Sequence, residues 1–426
     1  MGTVRDGRAQ GMGVVAYAGG EKYKGDFRDD MRCGRGVCSY PDGSRFAGHW
    51  HRNMPDGFGI FIHASGGHEH RGGRYVGEWK CGEKHGYGRQ VRGGGGERYV
   101  FPDGLVYDGD FQHDKACGKG VFREGDGGDW YRGTWENDRR HGRGTYQWAT
   151  GSRYEGYWKE GNVDGKGILK YSGGEEYRGE FRANKKHGQG AYTWTNGNKY
   201  KGEFCGGTIT GFGEMVYKTS GHRYLGQWLN NNKHGKGTFW YSDGNVYKGT
   251  FHEDDIHGWG RLTISPGTIL EESYEGGFSH GIKHGYGTYR YPALEGMVYE
   301  GDWDQGLRHG RGTLRFKDGS FYKGSFCKEQ KHGMGCMVWC DGSQYEGRWE
   351  NNQRHGEGSL LHPDGSIFQG KFWRDKKHGE GAVTFLDGNR YEGVWEHDKV
   401  VGRQGRFTLL PGQSPTDVVH LRVFGY

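Results

Sequence analysis

One short element recurs so often in this chain that few folds remain open to it. An aromatic residue is followed two positions on by Gly and four positions on by Trp or Phe. The element starts at Tyr23, Phe46, Tyr75, Tyr107, Tyr131, Tyr154, Tyr177, Tyr200, Tyr224, Tyr247, Tyr274, Tyr299, Tyr322, Tyr345, Phe368 and Tyr391, sixteen times in 426 residues. Nine of the fifteen intervals are 23 residues. A second Gly stands at +11 in all sixteen copies and a third at +13 in fifteen, the last copy having Gln404 there. These three columns absorb 47 of the 88 glycines, so glycine here is architecture and not linker. Self-similarity at such a period marks a repeat array rather than a single globular core.

The period inside each copy is two. Residues 0, +2 and +4 share one face of a strand, and Gly142, Gly144, Tyr146 and Trp148 repeat the alternation in a second strand. A polar turn such as ENDRR joins the two, and SDG, KDG or LDG follows the second. Both are hairpin signals. The predicted fold is therefore all-β: an elongated, single-layer, twisted antiparallel meander of hairpins, a rod ~150 Å long at ~4.8 Å per strand. Aromatics make up 15% of the chain while all hydrophobic residues reach only 32%, against ~45–50% in an average chain. A one-layer sheet explains that balance, because flat rings can cover its face by lying on one another and on glycine backbone.

The pattern YEGxWxxGxxHGxGxxxxxDGxx resembles the MORN repeat over residues 23 to about 405. That resemblance implies a twisted sheet with an aromatic-lined groove, frequent dimerisation, and scaffold roles in cilia, cytoskeletal structures and membrane junctions. Residues 1–22 read as an N-terminal half-repeat cap, 23–405 as sixteen hairpin repeats and 406–426, with TDVVHLRVFGY, as a closing strand. Enlarged loops are expected near 63–73, 91–104 and 264–273.

Fewer than 40 residues lie outside the array, too few for a catalytic domain, so the chain reads as a non-enzyme without a cofactor. The excess of 59 Lys and Arg over 53 Asp and Glu is mild, with no basic tail for nucleic acid. MGTVRDGRAQ has no apolar signal segment, Asp6 breaks a myristoylation pattern, and no run spans a membrane. The eight cysteines are scattered; Cys336 and Cys340 would stand ~13 Å apart on a strand, and a reduced, cytoplasmic chain follows. No Gly-x-Gly pair opens a helix, which removes the nucleotide-loop reading.

Two surfaces emerge as candidates. The uncovered aromatic face should form a partner-binding groove lined by Tyr131, Trp135, Tyr154, Trp158, Tyr299, Trp303, Tyr345 and Trp349. Its occupant would be a partner helix, an extended segment or a second copy of the array. Turns before the +10 position are basic, with Arg139, Arg140, Lys185, Lys186, Lys376 and Lys377 on one rim; Asp42, Asp103, Asp243, Asp318, Asp341, Asp364 and Asp387 mark the other. Such charges also keep a flat sheet soluble. Position +10 is His in ten copies, but column neighbours two strands apart, ~9–10 Å, cannot share an ion. They are expected to orient turns by bonding to backbone. The cluster His63, His68, Glu69 and His70 fits no standard zinc spacing, so no metal is expected. By resemblance to the all-repeat radial-spoke proteins, the expected role is an axonemal scaffold of a cilium or flagellum, with cytoskeletal partners. The alternative is a membrane-apposed scaffold holding anionic phospholipid on its basic turns, although no second anchoring signal accompanies it.

Overall fold

In the computed structural model, residues 2–64, 73–92, 104–292 and 295–411 are described. They form two compact units, Met1–Gly211 and Phe212–Tyr426. The first holds seventeen strands from Thr3–Arg5 to Lys199–Cys205, and the second sixteen from Arg223–Leu229 to Lys399–Thr408. There is no helix among the described residues. Within each unit every strand pairs antiparallel with the strand before it and the strand after it, as in Trp130–Glu136, Arg139–Gln147, Arg153–Lys159 and Asn162–Lys170. The meander expected from the period of two is the fold.

At the start, Arg8–Ala16 pairs with Lys22–Arg28 and the short strand Thr3–Arg5 pairs with Arg8–Ala16. At the other end, Lys399–Thr408 pairs with Arg390–Glu396, so residues 406–408 still belong to the last hairpin. The closing strand expected at TDVVHLRVFGY lies outside the described residues, as do the enlarged loops over 65–72 and 93–103. Between Ile264 and Glu272, which pair with each other, the third enlarged loop folds as two turns closed by Thr268 N–H on Ser265 C=O and Glu271 N–H on Thr268 C=O.

The three glycine columns have two different causes. At +2 and +13 the chain cannot carry a side chain because the copy's own Tyr lies there. A Cβ added to Gly144 would stand 2.5 Å from Cζ and Cε2 of Tyr131 and nearer still to its hydroxyl. At +11 the cause is backbone: the ladder slips by two residues between Gly133 and Thr134, and Gly142 takes φ +60° within that slip. A left-handed residue in a bulge is a glycine position. In the last copy, Gly405 lies under the Tyr391 ring.

The rings knit consecutive copies together. Tyr131 meets Trp135 of its own copy at 5.2 Å and Trp158 of the next at 5.3 Å, both edge-to-face. Tyr154 repeats this with Trp158 and Phe181. Such pairs contribute about 0.5–1.5 kcal/mol each beyond the area they bury. Polar atoms on most of the rings are satisfied in place, Trp79 Nε1 being an exception: Tyr131 Oη–H donates to Thr134 C=O at 2.9 Å, and Trp349 Nε1–H to Gly335 C=O of the preceding copy at 3.0 Å.

A second ladder ties the turns. Both central residues of the short turns take positive φ, as at Asn137 (48°) and Asp138 (64°), which is the type I′ geometry that matches strand twist. The second of them reaches back to the preceding turn. Asp138 N–H donates to Ala116 C=O at 3.1 Å, and its Oδ1 accepts from Ala116 N–H at 2.7 Å. Asn184 does the same to Val163, and Asn352 to Lys331.

Candidate functional site

Position +9 decides what covers the rings. It pairs across the hairpin with the +4 aromatic, as Arg140 does with Trp135, so its side chain belongs to the ring face. In the first ten copies the column alternates: Arg32, Pro55, Lys84, Ala116, Arg140, Val163, Lys186, Ile209, Lys233, Ile256. The next five are all cationic, Lys283, Arg308, Lys331, Arg354 and Lys377, and Val400 closes the column.

These cations lie on aromatic faces. The Arg140 guanidinium is 4.4 Å from the Trp158 ring centre and 5.0 Å from that of Tyr146. Lys186 Nζ is 4.3 Å from Tyr192, Lys283 Nζ 4.1 Å from Trp303, Lys331 Nζ 4.6 Å from Trp349 and Lys377 Nζ 4.9 Å from Phe368. Contacts of this kind contribute from ~0.5 to ~2 kcal/mol as water is removed. Burial pushes the ammonium groups of Lys186, Lys283, Lys331 and Lys377 down from the usual lysine value.

Arg32 is ion-paired by Glu21 at 3.3 Å, and three further cations by a carboxylate of the next turn. Asp254 takes Lys233 Nζ at 3.0 Å, Glu329 takes Arg308 Nε at 2.6 Å, and Asp375 takes Arg354 Nε at 3.3 Å. After Arg140, Lys186 and Lys283 the next turn offers Gly161, Gly207 or Gly306, each bonding only through its backbone N–H. Among the described residues no carboxylate ion-pairs directly with those three cations.

This changes both surfaces read from the sequence. The aromatic face is not uncovered: Tyr131, Tyr299 and Tyr345 are 0% exposed, Tyr154 1%, Trp303 3%, and Trp158 and Trp349 4%. Rings of adjacent copies shield each other edge-on, and the +9 side chains close over them. Trp135 alone of the eight is half-buried. It comes together with Arg139, Arg140, Phe122 and Tyr146 around a depression of about 500 Å³ in the first unit. The basic rim likewise splits by strand alternation. Arg139, Lys185 and Lys376 are exposed, whereas Arg140, Lys186 and Lys377 turn onto the rings. The acidic rim is committed to turns: the carboxylates of Asp42, Asp318, Asp341, Asp364 and Asp387 each accept the N–H two residues on. Asp103 lies outside the described residues. Three of the ten histidines at +10 stand beside carboxylates, His141 by Glu136 at 3.0 Å, His284 by Asp304 at 3.4 Å and His355 by Glu350 at 3.4 Å.

A further surface was not singled out from the sequence. On the face of the first unit opposite the rings, Arg89, Lys119, Arg123, Arg132 and Arg143 line a depression of about 1050 Å³ with Asp108, Asp126 and Glu155. All five cations are exposed. The signal available was their common parity, at +1, +12, +14 and +16, which places them on the non-aromatic face.

Thirteen segments match the MORN repeat family: 23–45, 46–68, 75–97, 107–128, 131–153, 154–176, 177–199, 224–246, 274–293, 299–321, 322–344, 345–367 and 368–390. The copies starting at Tyr200, Tyr247 and Tyr391 are not among them, although the strands Val246–His252 and Asp255–Ile264 pair as the others do. Among curated proteins none matches the chain. The solved TCP domain of Drosophila melanogaster SAS-4 (dCPAP), in complex with a proline-rich motif of Ana2 (dSTIL), is similar at 17% identity and a TM-score of 0.25, covering 38% of this chain and 84% of that one. With the family matched over well more than half its length, and with its hairpin, glycine bulge and Tyr-on-Gly packing recurring copy after copy, the chain belongs to the MORN repeat family.

Proposed function

We propose that this repeat-based interaction protein is a non-enzymatic scaffold of a cilium or flagellum axoneme, of the radial-spoke type, that holds cytoskeletal partners along its aromatic face. The supporting observation is the depression where Trp135, Arg139, Arg140, Phe122 and Tyr146 converge. It pairs a half-buried Trp with guanidinium groups that make no direct ion pair among the described residues, although Asp138 lines the same depression, and this suits a partner segment bearing an acidic residue beside an apolar one. The expected test result is axonemal localisation of a tagged copy that is lost on Trp135→Ala with Arg139→Gln. A plasma-membrane pattern without axonemal signal refutes the reading.

The arginine-lined depression on the opposite face favours a second reading, a membrane-apposed scaffold that holds anionic phospholipid. Under it, Arg89→Gln, Arg132→Gln and Arg143→Gln together weaken vesicle co-sedimentation and flatten its salt dependence. Co-sedimentation unchanged across a salt series removes this reading.

A further inference from the structure

Four imidazoles stand in file along the short-turn rim of the second unit. His234 is the +10 residue of its copy, His252 and His257 are +5 and +10 of the next, and His280 is +6 of the one after. Ring centres are 5.3 Å apart from His234 to His252, 6.1 Å from His252 to His257, and 5.8 Å from His257 to His280. Elsewhere among the described residues histidine rings meet only in isolated pairs, His85 with His113 and His378 with His397. The column spacing of ~9–10 Å keeps +10 histidines apart from each other. What brings rings together here is a histidine at +5 or +6 of the following copy.

Two imidazoles on one tetrahedral ion, each nitrogen about 2.1 Å from the metal, hold their ring centres about 5 Å apart. The His234–His252 pair already has that separation, and the exposed His257 and His280 rings reach it by a small rotation. His280 Nδ1–H lies 3.1 Å from Asp255 Oδ2, which leaves Nε2 as the lone-pair nitrogen and orients the ring from behind. Among the described residues no three His, Cys, Asp or Glu side chains converge on one point. Each ion would therefore have two protein ligands and complete its shell with water. Imidazole donors of this kind select divalent transition ions such as Zn²⁺, Ni²⁺ and Cu²⁺ over Mg²⁺ and Ca²⁺.

We propose that this file is a pair of adjacent two-histidine sites for a divalent transition metal ion, His234 with His252 and His257 with His280. Each ion joins neighbouring copies along the turn edge, so the metal acts as a staple between repeats. The assignment stands apart from the axonemal reading.

Calorimetric titration of the reduced, full-length chain with Ni²⁺ tests it. His252→Asn with His257→Asn removes one ring from each pair, and His234→Asn with His280→Asn removes the other. Both double variants are expected to lose about two equivalents of Ni²⁺, or to bind them at least about tenfold more weakly, with unchanged circular dichroism. Ni²⁺ should also raise the melting temperature of the parent chain more than that of either variant. The control His85→Asn with His113→Asn should keep both equivalents at the file. Parent-like stoichiometry and affinity in either test variant overturn the proposal.

Discussion

Gly144→Ala isolates the packing that makes this chain possible. The new Cβ would sit 2.5 Å from two carbons of the Tyr131 ring, a distance real Cβ atoms do not show, so something must move. The ring has nowhere to go. It is 0% exposed and held edge-on between Trp135 at 5.2 Å and Trp158 at 5.3 Å. Ejecting it forfeits two aromatic pairs at about 0.5–1.5 kcal/mol each and the hydroxyl bond to Thr134, about 1 kcal/mol. Tolerating the overlap by backbone shift costs about 1–3 kcal/mol. Against either route, Ala lowers the entropy of the unfolded chain and returns only about 0.4–1 kcal/mol. By the cheaper route the net expectation is a loss of about 0.5–2 kcal/mol, or roughly 1–8 °C in a unit of this size. Thermal unfolding followed by circular dichroism and Trp fluorescence measures it. The reference is Gly19→Ala, where an added Cβ meets nothing within 4 Å, and which should move the midpoint by less than about 0.5 kcal/mol. Equal melting of the two variants refutes the claim that the ring forbids a side chain at +13.

Alkaline pH should dismantle the fold through its tyrosines. Burial raises the phenols of Tyr131, Tyr154, Tyr299 and Tyr322 far above the usual value, and pushes Tyr247 and Tyr345 up to about 12. The folded state keeps protons that the unfolded chain gives up near pH 10, so this stabilisation is complete below about pH 10 and is lost as pH rises toward the folded values. The buried lysines oppose this, since the folded chain releases their protons before the unfolded chain does and stability rises with pH up to about 10.4, but they are fewer. Tyrosinate absorbance should appear together with loss of strand signal; tyrosinate forming near pH 10 with strand signal intact contradicts it. In the turn ladder, Asn352→Ala removes the bond to Lys331 N–H while keeping φ at 68°, whereas Asn352→Gly removes the bond and relieves the backbone. Denaturant melts should show Ala losing about 1–2 kcal/mol and Gly visibly less; the reverse order breaks the argument. Trp158→Leu and Trp349→Leu should each cost about 2–3 kcal/mol in a denaturant melt while partner recovery per folded molecule is unchanged, and lost recovery at an unchanged melting temperature makes these rings a binding surface instead.

Strand parity, the two faces and the packing of rings on glycine backbone were legible because each follows from a period of two with a missing Cβ; that the ring is the copy's own Tyr, at +2 and +13, was not. The +11 glycine was seen but its cause was not: Gly142 is needed for a left-handed bulge, and nothing in the letters separates that from close ring approach. The larger gap concerned the cations. Arg140 and Lys186 sit beside a turn, and a charge beside a turn reads as solvated. Yet the alternation of Arg or Lys with Pro, Ala, Val and Ile at +9 was itself a burial signal, because only a position facing the rings is indifferent to a cation or a methyl group. The exposed groove was inferred from a count of layers. What closed it was the width of the rings, since edge-on Trp and Tyr from successive copies leave no gap for solvent at Tyr154 or Trp349. The histidine file escaped because only one residue of each close pair belongs to the repeating column.

Every copy offers the same plug and the same socket. Its Tyr rests on its own two glycines and receives the next copy's Trp or Phe, while its own Trp or Phe enters the copy before. Trp158 on Tyr131 and Phe181 on Tyr154 are the same joint, at 5.3 and 5.2 Å. A gene encoding such a chain can therefore gain or lose whole copies by unequal crossing-over without meeting a mismatched seam. Excising residues 154–176 would bring Phe181 onto Tyr131. A one-residue deletion within a strand has no such tolerance, because it turns every following ring to the opposite face. Selection acting on this protein can lengthen or shorten it in steps of one hairpin, which makes the number of copies a heritable ruler.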